Sequence, residues 1–391
     1  MGVCKPIMVL SQKNIISAIG ILLIAMAIAF FIFSKDDTDI EPLMKILSDE
    51  PRYSTYEFPK DSTIIKFGTQ PLYIPTGLIS ETIKRDMILK RALSEIGMKL
   101  KFYPFLKGDD INFFLDRGHL DIGISGDMPT LKAAATSDII ITNLVQKGFT
   151  SIVAKKFVLM DELRRKRIGY AFGSNAHYSL LQALTAVGLD ENDVHLVAMD
   201  VYEMPKRLNA GDIYAFSAWE PTPSIVLKQQ KDAAIIHRNL NSGYLYFWGG
   251  FSSDHNIATE YIVAATIRAI HWIQSSNENL LAASNWSKKA SEKLTGTNLE
   301  ISAEEIAELA KKDILGMRQP SHIHESSLDK ESSLYKEFEF LKTVGKIPVS
   351  TDWEQMRKSF DIEIAKNILA EPLKYKLNEY DYTGQGDQDE Q

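Results

Sequence analysis

Apolar positions along this chain switch repeatedly between two periods, and the switching outlines a fold. Short apolar runs at Thr63 to Phe67, Lys99 to Tyr103, Leu120 to Ile124, Ile139 to Leu144, Thr150 to Ala154, Val194 to Met199 and Asp212 to Ala218 predict strands. Between them the period is helical. Leu78, Ile79, Ile83, Met87, Ile88, Ala92, Leu93 and Ile96 share one face of a predicted helix over 78–96, with Lys84, Arg85, Lys90 and Arg91 off it. Further helices are predicted over 109–117, 130–136 and 201–210, and further strands at Ile235-Ile236 and Tyr244 to Trp248. Beyond Glu260 the pattern is helical at Tyr261 to Gln274, Ser302 to Lys312, Ser333 to Thr343 and Trp353 to Leu369, and Ser302-x-x-Glu305 has capping-box spacing. Strands alternating with helices require parallel sheets covered on both faces. Two such clusters, joined by crossovers near 150–154 and 244–248, predict an α/β fold of two doubly wound lobes with a hinge cleft and extra C-terminal helices.

In such sheets ligands gather at the carboxyl ends of strands, and four turns fall there: Gln70 to Thr76, Ser125 to Pro129, Gly173 to His177 and Trp219 to Pro221. The third is the most informative. Gly169-Tyr-Ala-Phe-Gly-Ser-Asn-Ala-His-Tyr-Ser-Leu-Leu-Gln-Ala-Leu184 reads as strand, turn and helix. Gly173 permits the bend, Ser174 or Asn175 supplies an N-cap, and the free amides of the first helical turn favour an anion, with His177 nearby. An ordinary strand-to-helix connection has the same composition.

The N-terminus changes the picture of where this body works. Ile15 to Phe33 is an apolar run of 19 residues, preceded by Lys5 and Lys13 and followed by Asp36, Asp37 and Asp39. That length and charge bias predict a membrane-crossing signal anchor with the body on the extracytoplasmic side. An uncleaved anchor suits the run better than a cleaved signal, because apolar residues continue through Phe33. The predicted division is 1–14 cytoplasmic, 15–34 transmembrane, 35–62 tether, 63–154 first lobe, 155–246 second lobe, 247–380 first-lobe return with C-terminal helices, and 381–391 disordered tail.

Composition excludes several chemistries. With 44 Lys+Arg against 51 Asp+Glu and a net charge of −7, nothing favours nucleic acid, and the basic run Arg164 to Arg167 reads as a solvated connection. Cys4 is the sole cysteine, so disulfides and thiolate metal sites within the chain are excluded. Ser333-x-x-Lys336 falls in a charged helical stretch, His322 and His324 read as a loop, and no phosphate-binding glycine motif occurs. Neither cofactor, metal nor catalytic residue is expected. Trp248, Trp272, Trp286 and Trp353 read as packing residues.

At the four turns the sequence resembles the substrate-binding proteins of the ABC importers for aliphatic sulfonates, taurine and nitrate. The resemblance rests on Phe172 to Leu184, on Ala210-Gly-Asp-Ile-Tyr-Ala-Phe-Ser-Ala-Trp-Glu-Pro221, on Gln70 and its strand, on Leu120 to Pro129, and on Val344-Gly-Lys-Ile-Pro348. It implies a type II periplasmic-binding-protein fold. It also implies that Ser174, Asn175, Ala176 and His177 hold a small anionic head group, faced by Gln70, Tyr73, Ser125, Gly126 and Asp127 and walled by Trp219 and Glu220. Asp127 stays open between capping its helix and meeting an amine or hydroxyl of the ligand. Implied partners are a small anionic compound and an ABC permease. A sensing ectodomain or a pyrimidine-binding protein are the alternatives; the cysteine-dependent pyrimidine-forming enzymes of this fold do not match a chain with Cys4 alone.

Overall fold

The computed structural model of the chain describes residue 47 and residues 50–313 and 321–384. The expected transmembrane segment 15–34 lies outside them; among the described residues no helix is long and apolar enough to cross a membrane. The chain divides into two compact units, Met1–Glu57 and Phe58–Gln391. In the first, residues 50–56 form a turn in which the Tyr53 and Ser54 amides donate to the Glu50 carbonyl, at 2.9 Å each. Phe58 starts the second unit and stacks on Tyr103 at 4.7 Å, so the body begins a few residues before the expected end of the tether.

The second unit runs β1 (Ile64–Thr69), α1 (Thr76–Ile83), α2 (Met87–Glu95), β2 (Lys99–Pro104), α3 (Gly108–Leu115), β3 (Ile122–Gly126), α4 (Asp127–Thr136), β4 (Ile139–Ala154), β5 (Arg167–Tyr170), α5 (Asn175–Ala186), β6 (His195–Ala198), α6 (Met204–Asn209), β7 (Ala215–Trp219), α7 (Thr222–Gln229) and β8 (Ala234–Trp248). It then continues as α8 (Gly249–Asp254), α9 (Asn256–Ser275), α10 (Asn277–Thr295), α11 (Ala303–Asp313), α12 (Ser333–Thr343), α13 (Trp353–Met356) and α14 (Ile362–Ala370).

The strands form one eight-stranded sheet in the order β2-β1-β3-β8-β4-β7-β5-β6. Pairing is parallel within β2-β1-β3 and within β7-β5-β6, and antiparallel around β8 and β4. The two expected lobes are therefore the two halves of a shared sheet. Each pair of strand candidates at 139–154 and 234–248 merges into one long strand that serves both halves. The first part of β4 and the last part of β8 join the β3 side, where Ile122 to Gly126 pair with Phe247 to Gly243. The remainder joins the β7 side, where Thr150 to Ala154 pair with Trp219 to Ala215. Register shifts at Ile141/Asn143 and Leu144/Gln146 lie between the halves, and such irregularities bend a strand pair locally.

Helix boundaries depart from the periodic reading where a polar residue intervenes. The predicted helix 78–96 breaks at Asp86, whose carboxylate accepts from the Ile88 and Leu89 amides at 2.9 and 3.0 Å and so starts α2. The predicted helix 353–369 breaks at Phe360 and Asp361, where the Asp361 amide donates to the Ile141 carbonyl of β4 at 2.9 Å. The Ser302/Glu305 capping box is present, with the Ser302 amide on Glu305 at 2.8 Å and the Glu305 amide on Ser302 at 3.2 Å. Trp248 is 45% exposed rather than core, whereas Trp272 stacks on Trp286 at 5.5 Å and Trp353 is buried. Asp381 and Tyr382, expected in a disordered tail, are engaged: Asp381 meets Arg91 at 3.0 Å and Tyr382 lies 4.6 Å from the Trp272 ring.

In the β7-β5-β6 half, one face of α5 supplies Leu180, Ala183 and Leu184 to a core with Ile152, Ile168 and Ala215. Burial of each leucine contributes roughly 1.5 to 3 kcal/mol. That packing fixes where the first turn of α5 points.

Candidate functional site

The four carboxyl-end turns do converge. Gln70, Tyr73, Gly126, Ser174, Asn175 and Trp219, with Gly108 and Pro129, surround a void of about 10 Å³, room for about one water molecule. Gln70 and Tyr73 follow β1, Gly126 ends β3, Ser174 and Asn175 follow β5, and Trp219 ends β7. Pro129 closes the Ser125 to Pro129 turn read from the sequence, whereas Gly108 had no distinguishing signal there; it enters because α3 begins beside the same void.

Contacts across the halves are close. Gly126 faces Asn175 so tightly that a Cβ would collide with the Asn175 amide group. Gly173, at φ +72°, meets Asp109 in the same way, and its left-handed backbone suits glycine. Asp109 is held by Lys132 at 2.8 Å. The Tyr73 and Trp219 rings meet edge to face at 5.7 Å, and the Ile74 amide reaches the Glu220 carbonyl at 3.4 Å. Tyr73 donates its hydroxyl to Asn241 at 2.7 Å, and Asn241 donates to Thr150 at 2.8 Å, tying the β1 loop to both long strands. Ser287 of α10 donates to the Pro71 carbonyl at 2.8 Å and buttresses that loop from behind. The two halves are in a closed arrangement.

Inside it, donors are left over. Among the described residues, the Trp219 indole Nε1 and both polar atoms of the Asn175 side chain are buried with no partner in hydrogen-bonding geometry. An unsatisfied buried polar group costs about 1 to 3 kcal/mol. Ser174 caps α5 by accepting from the His177 amide at 3.3 Å while donating to the Ala171 carbonyl at 2.6 Å. The Asn175 and Ala176 amides, in the first turn, have no carbonyl within the helix to bond. Gln70 is committed, with Nε2 on the Ile124 carbonyl at 2.9 Å.

Five expected site residues do not line the void. Ser125 bonds Thr130 at 3.1 Å within the first half. Asp127 is the first residue of α4 rather than part of a turn; it accepts from the Met128 amide at 2.9 Å and from the Ser242 amide of β8 at 2.6 Å. Burial pushes its carboxyl up to about 7, against those two amide bonds and the smaller pull of the nearby Asn175 amide group. Beside it Glu337 of α12 is also raised well above the ordinary range, by burial and then by repulsion from Asp127. The Ala176 carbonyl accepts from Ser217 at 2.7 Å. His177 turns away: its Nδ1 accepts from the Gly173 amide at 3.3 Å, its ring packs among Tyr170, Phe172 and Tyr178, and its Nε2 stands 3.6 Å from Glu191. Burial, then Lys346 and Lys132, lowers its pKa to about 3, so the imidazole is neutral. Glu220 accepts from the Ser224 amide at 3.2 Å and is raised by burial. The His322 and His324 rings lie 4.2 Å apart, tilted at 55° to each other; among the described residues no group of three or more potential ligands could hold a metal.

The model of the NMT1-like family matches residues 127–287. The chain is 26% identical over 152 residues to an aliphatic sulfonates-binding protein of Escherichia coli (strain K12), covering 37% of this chain and 47% of that one. It is also 26% identical over 165 residues to a taurine-binding periplasmic protein of the same organism, covering 41% and 49%. It thus spans about half the length of these curated relatives. Among solved structures, the aliphatic sulphonate binding protein of Escherichia coli superposes with a TM-score of 0.58 at 17% identity over 76% of this chain and 92% of that one. The nitrate-binding protein NrtA of Synechocystis PCC 6803 does so with a TM-score of 0.60 at 13% identity, over 82% and 92%. A desulfurization enzyme shares the fold at a TM-score of 0.51 and 15% identity, over 78% and 99%. The fold is that of the periplasmic binding proteins. The likeness to ABC substrate-binding proteins of the sulfonate and taurine type, read from the four turns, stands.

Proposed function

We propose that this chain is a membrane-tethered, extracytoplasmic solute-binding protein that captures a small anionic organic compound, sulfonate-like, and hands it to an ABC importer. The observation that carries the reading is the pair of unpaired side-chain donors, Trp219 Nε1 and Asn175 Nδ2, around a void between the two halves of the sheet. A sulfonate spreads its charge over several acceptor oxygens, and fixed neutral donors at a helix N-terminus satisfy them without a full counter-charge. A void of about 10 Å³ does not admit such a group, so capture requires the halves to part. The irregular stretch of β4 and β8 is the hinge, and closure over the ligand restores the contacts of Gly126 with Asn175 and of Tyr73 with Trp219. The role is binding, and no bond is made or broken. Tethering by residues 15–34 would hold the body beside its permease.

A planar nitrogen heterocycle is the second reading. The unpaired Asn175 side chain presents an acceptor as well as donors, and a bare sulfonate would leave the acceptor unused. Thermal-shift measurements on the purified chain separate the two, because a ligand that binds only the folded state raises its melting point. Alkanesulfonates or taurine should stabilise it. Stabilisation by a pyrimidine alone would replace the first reading with the second.

A further inference from the structure

The half of the sheet formed by β7, β5 and β6 ends, on the side away from the void, in a surface the binding role does not use. Thr150 to Ala154 of β4 pair antiparallel with Trp219 to Ala215 of β7, so the end of β4 lies beside the start of β7, at the pole opposite Trp219. The chain leaves β4 there as Lys155-Lys-Phe-Val-Leu159 and returns into β5 through Arg164-Arg-Lys-Arg167. The two segments are neighbours in space: Lys155 and Lys166 both lie over the Tyr214 ring, at 4.9 and 5.1 Å.

Two features set this pole apart from an ordinary solvated face. Phe157 is 70% and Leu159 60% exposed, although a residue between them, Val158, is buried. The turn therefore projects two large apolar side chains outward from a well-anchored base. In the same two segments, Lys155, Lys156, Arg165, Lys166 and Arg167 make no ion pair among the described residues, while three of the nearby carboxylates are occupied. Asp193 pairs with Arg164, Asp212 with Arg207 at 2.8 Å, and Glu162 accepts from the Leu159 amide at 2.7 Å. On a chain of net charge −7, five such cations grouped about an exposed phenylalanine and leucine are a local inversion.

We propose that this pole seats on an anionic phospholipid surface, with Phe157 and Leu159 entering the interface and the five cations meeting lipid phosphates. Projecting apolar side chains flanked by Lys and Arg are the combination that partitions into charged bilayer interfaces. A nucleic acid would satisfy the cations but leave Phe157 and Leu159 without a role on so short and convex a turn. The seat goes beyond solute capture and does not depend on it: the cleft lies at the other end of the same strands and stays open to ligand.

The test uses the full chain with nanodiscs of phosphatidylcholine alone, or with roughly a third of phosphatidylglycerol, and reads amide hydrogen exchange. Residues 155–167 should be protected at least about tenfold on the anionic discs, with protection lost in high salt and absent on neutral discs. The variant Lys155→Glu/Lys156→Glu/Phe157→Ser should lose that protection while its melting point and urea midpoint stay those of the wild type, which shows that it folds. Equal exchange of 155–167 on both kinds of disc, or protection that survives the triple substitution, overturns the proposal.

Discussion

Two buried polar constellations in this molecule start from similar chemistry and end differently. At the start of α2, Asp86 is complete: one carboxylate oxygen accepts from the Ile88 and Leu89 amides, and the other from Arg268 Nε and Nη2 at 2.9 and 2.7 Å. Arg268 Nη1 then donates to the Tyr375 carbonyl at 2.9 Å. At the start of α5, Ser174 caps the helix, yet the Asn175 side chain and the adjoining Trp219 indole are buried with no hydrogen bond among the described residues. Both helix starts are closed to solvent. Because buried polar groups are almost always paired, the complete one is architecture, and the incomplete one is where a molecule from outside is expected.

The largest effect should come from breaking the complete site. Asp86→Ala leaves Arg268 buried and unpaired and should destabilise the second unit by about 3 to 5 kcal/mol, measured by urea unfolding. If the loss were below about 1 kcal/mol, the ion pair would not be the brace that its burial implies.

At the incomplete site the signs separate. Asn175→Ala and Trp219→Phe remove no hydrogen bond of the closed form, so stability should fall only by the packing they lose, about 1 to 2 kcal/mol and well short of Asp86→Ala. Affinity for the ligand found by thermal shift should fall at least about tenfold, about 1.4 kcal/mol, by calorimetry. A variant that unfolds while binding normally would turn the contrast around.

Proton linkage sharpens the same contrast. His177 has its pKa lowered by burial to about 3, against about 6.5 unfolded, so its unfolded form binds the extra proton between those values. Its contribution is therefore lost as pH falls through that window. Asp127 is raised by burial to about 7, against about 3.9 unfolded; the folded form holds the proton, and that contribution is lost as pH rises towards 7. In the wild type the two slopes oppose each other. The melting-point difference between wild type and His177→Gln should grow from about pH 4 to 7, and that between wild type and Asp127→Asn should shrink. Parallel profiles for all three would remove both groups from the balance.

Much of this was legible in the chain. Strand ends and the turns at Gln70, Gly126, Ser174 and Trp219 were visible because Gly, Ser and Pro punctuate short apolar runs. Helix α10 was not. Its buried side includes Ser284, Ser287 and Ser291 beside Leu280, Ala283 and Leu294, so a hydrophobic count sees a polar segment. Ser284 and Ser291 hide their hydroxyls by bonding the carbonyls four residues back, at 2.8 Å each. Ser287 spends its hydroxyl on Pro71, a partner far along the chain that no local pattern could disclose. The same limit explains His177 and Asp127: sequence places them beside the turn, but rotation about a helix start decides whether a side chain meets the void or a neighbouring strand.

The smallest effect concerns a pair that is satisfied but wet. Lys228 of α7 meets Glu305 of α11 at 2.7 Å, with side chains 59% and 41% exposed. Glu305 is also occupied by the Ser302 amide, so removing the lysine leaves the capping box intact. Water already solvates both charges, and holding two long side chains together has an entropic cost that offsets their attraction. Lys228→Met should therefore leave the urea midpoint unresolved from wild type, although the contact links α11 to the half of the sheet that carries Trp219. A measurable drop would mean that this contact, rather than the buried core, helps to hold the halves closed. Ligand affinity in the same variant would then fall with it, whereas it stays unchanged if the core alone holds them.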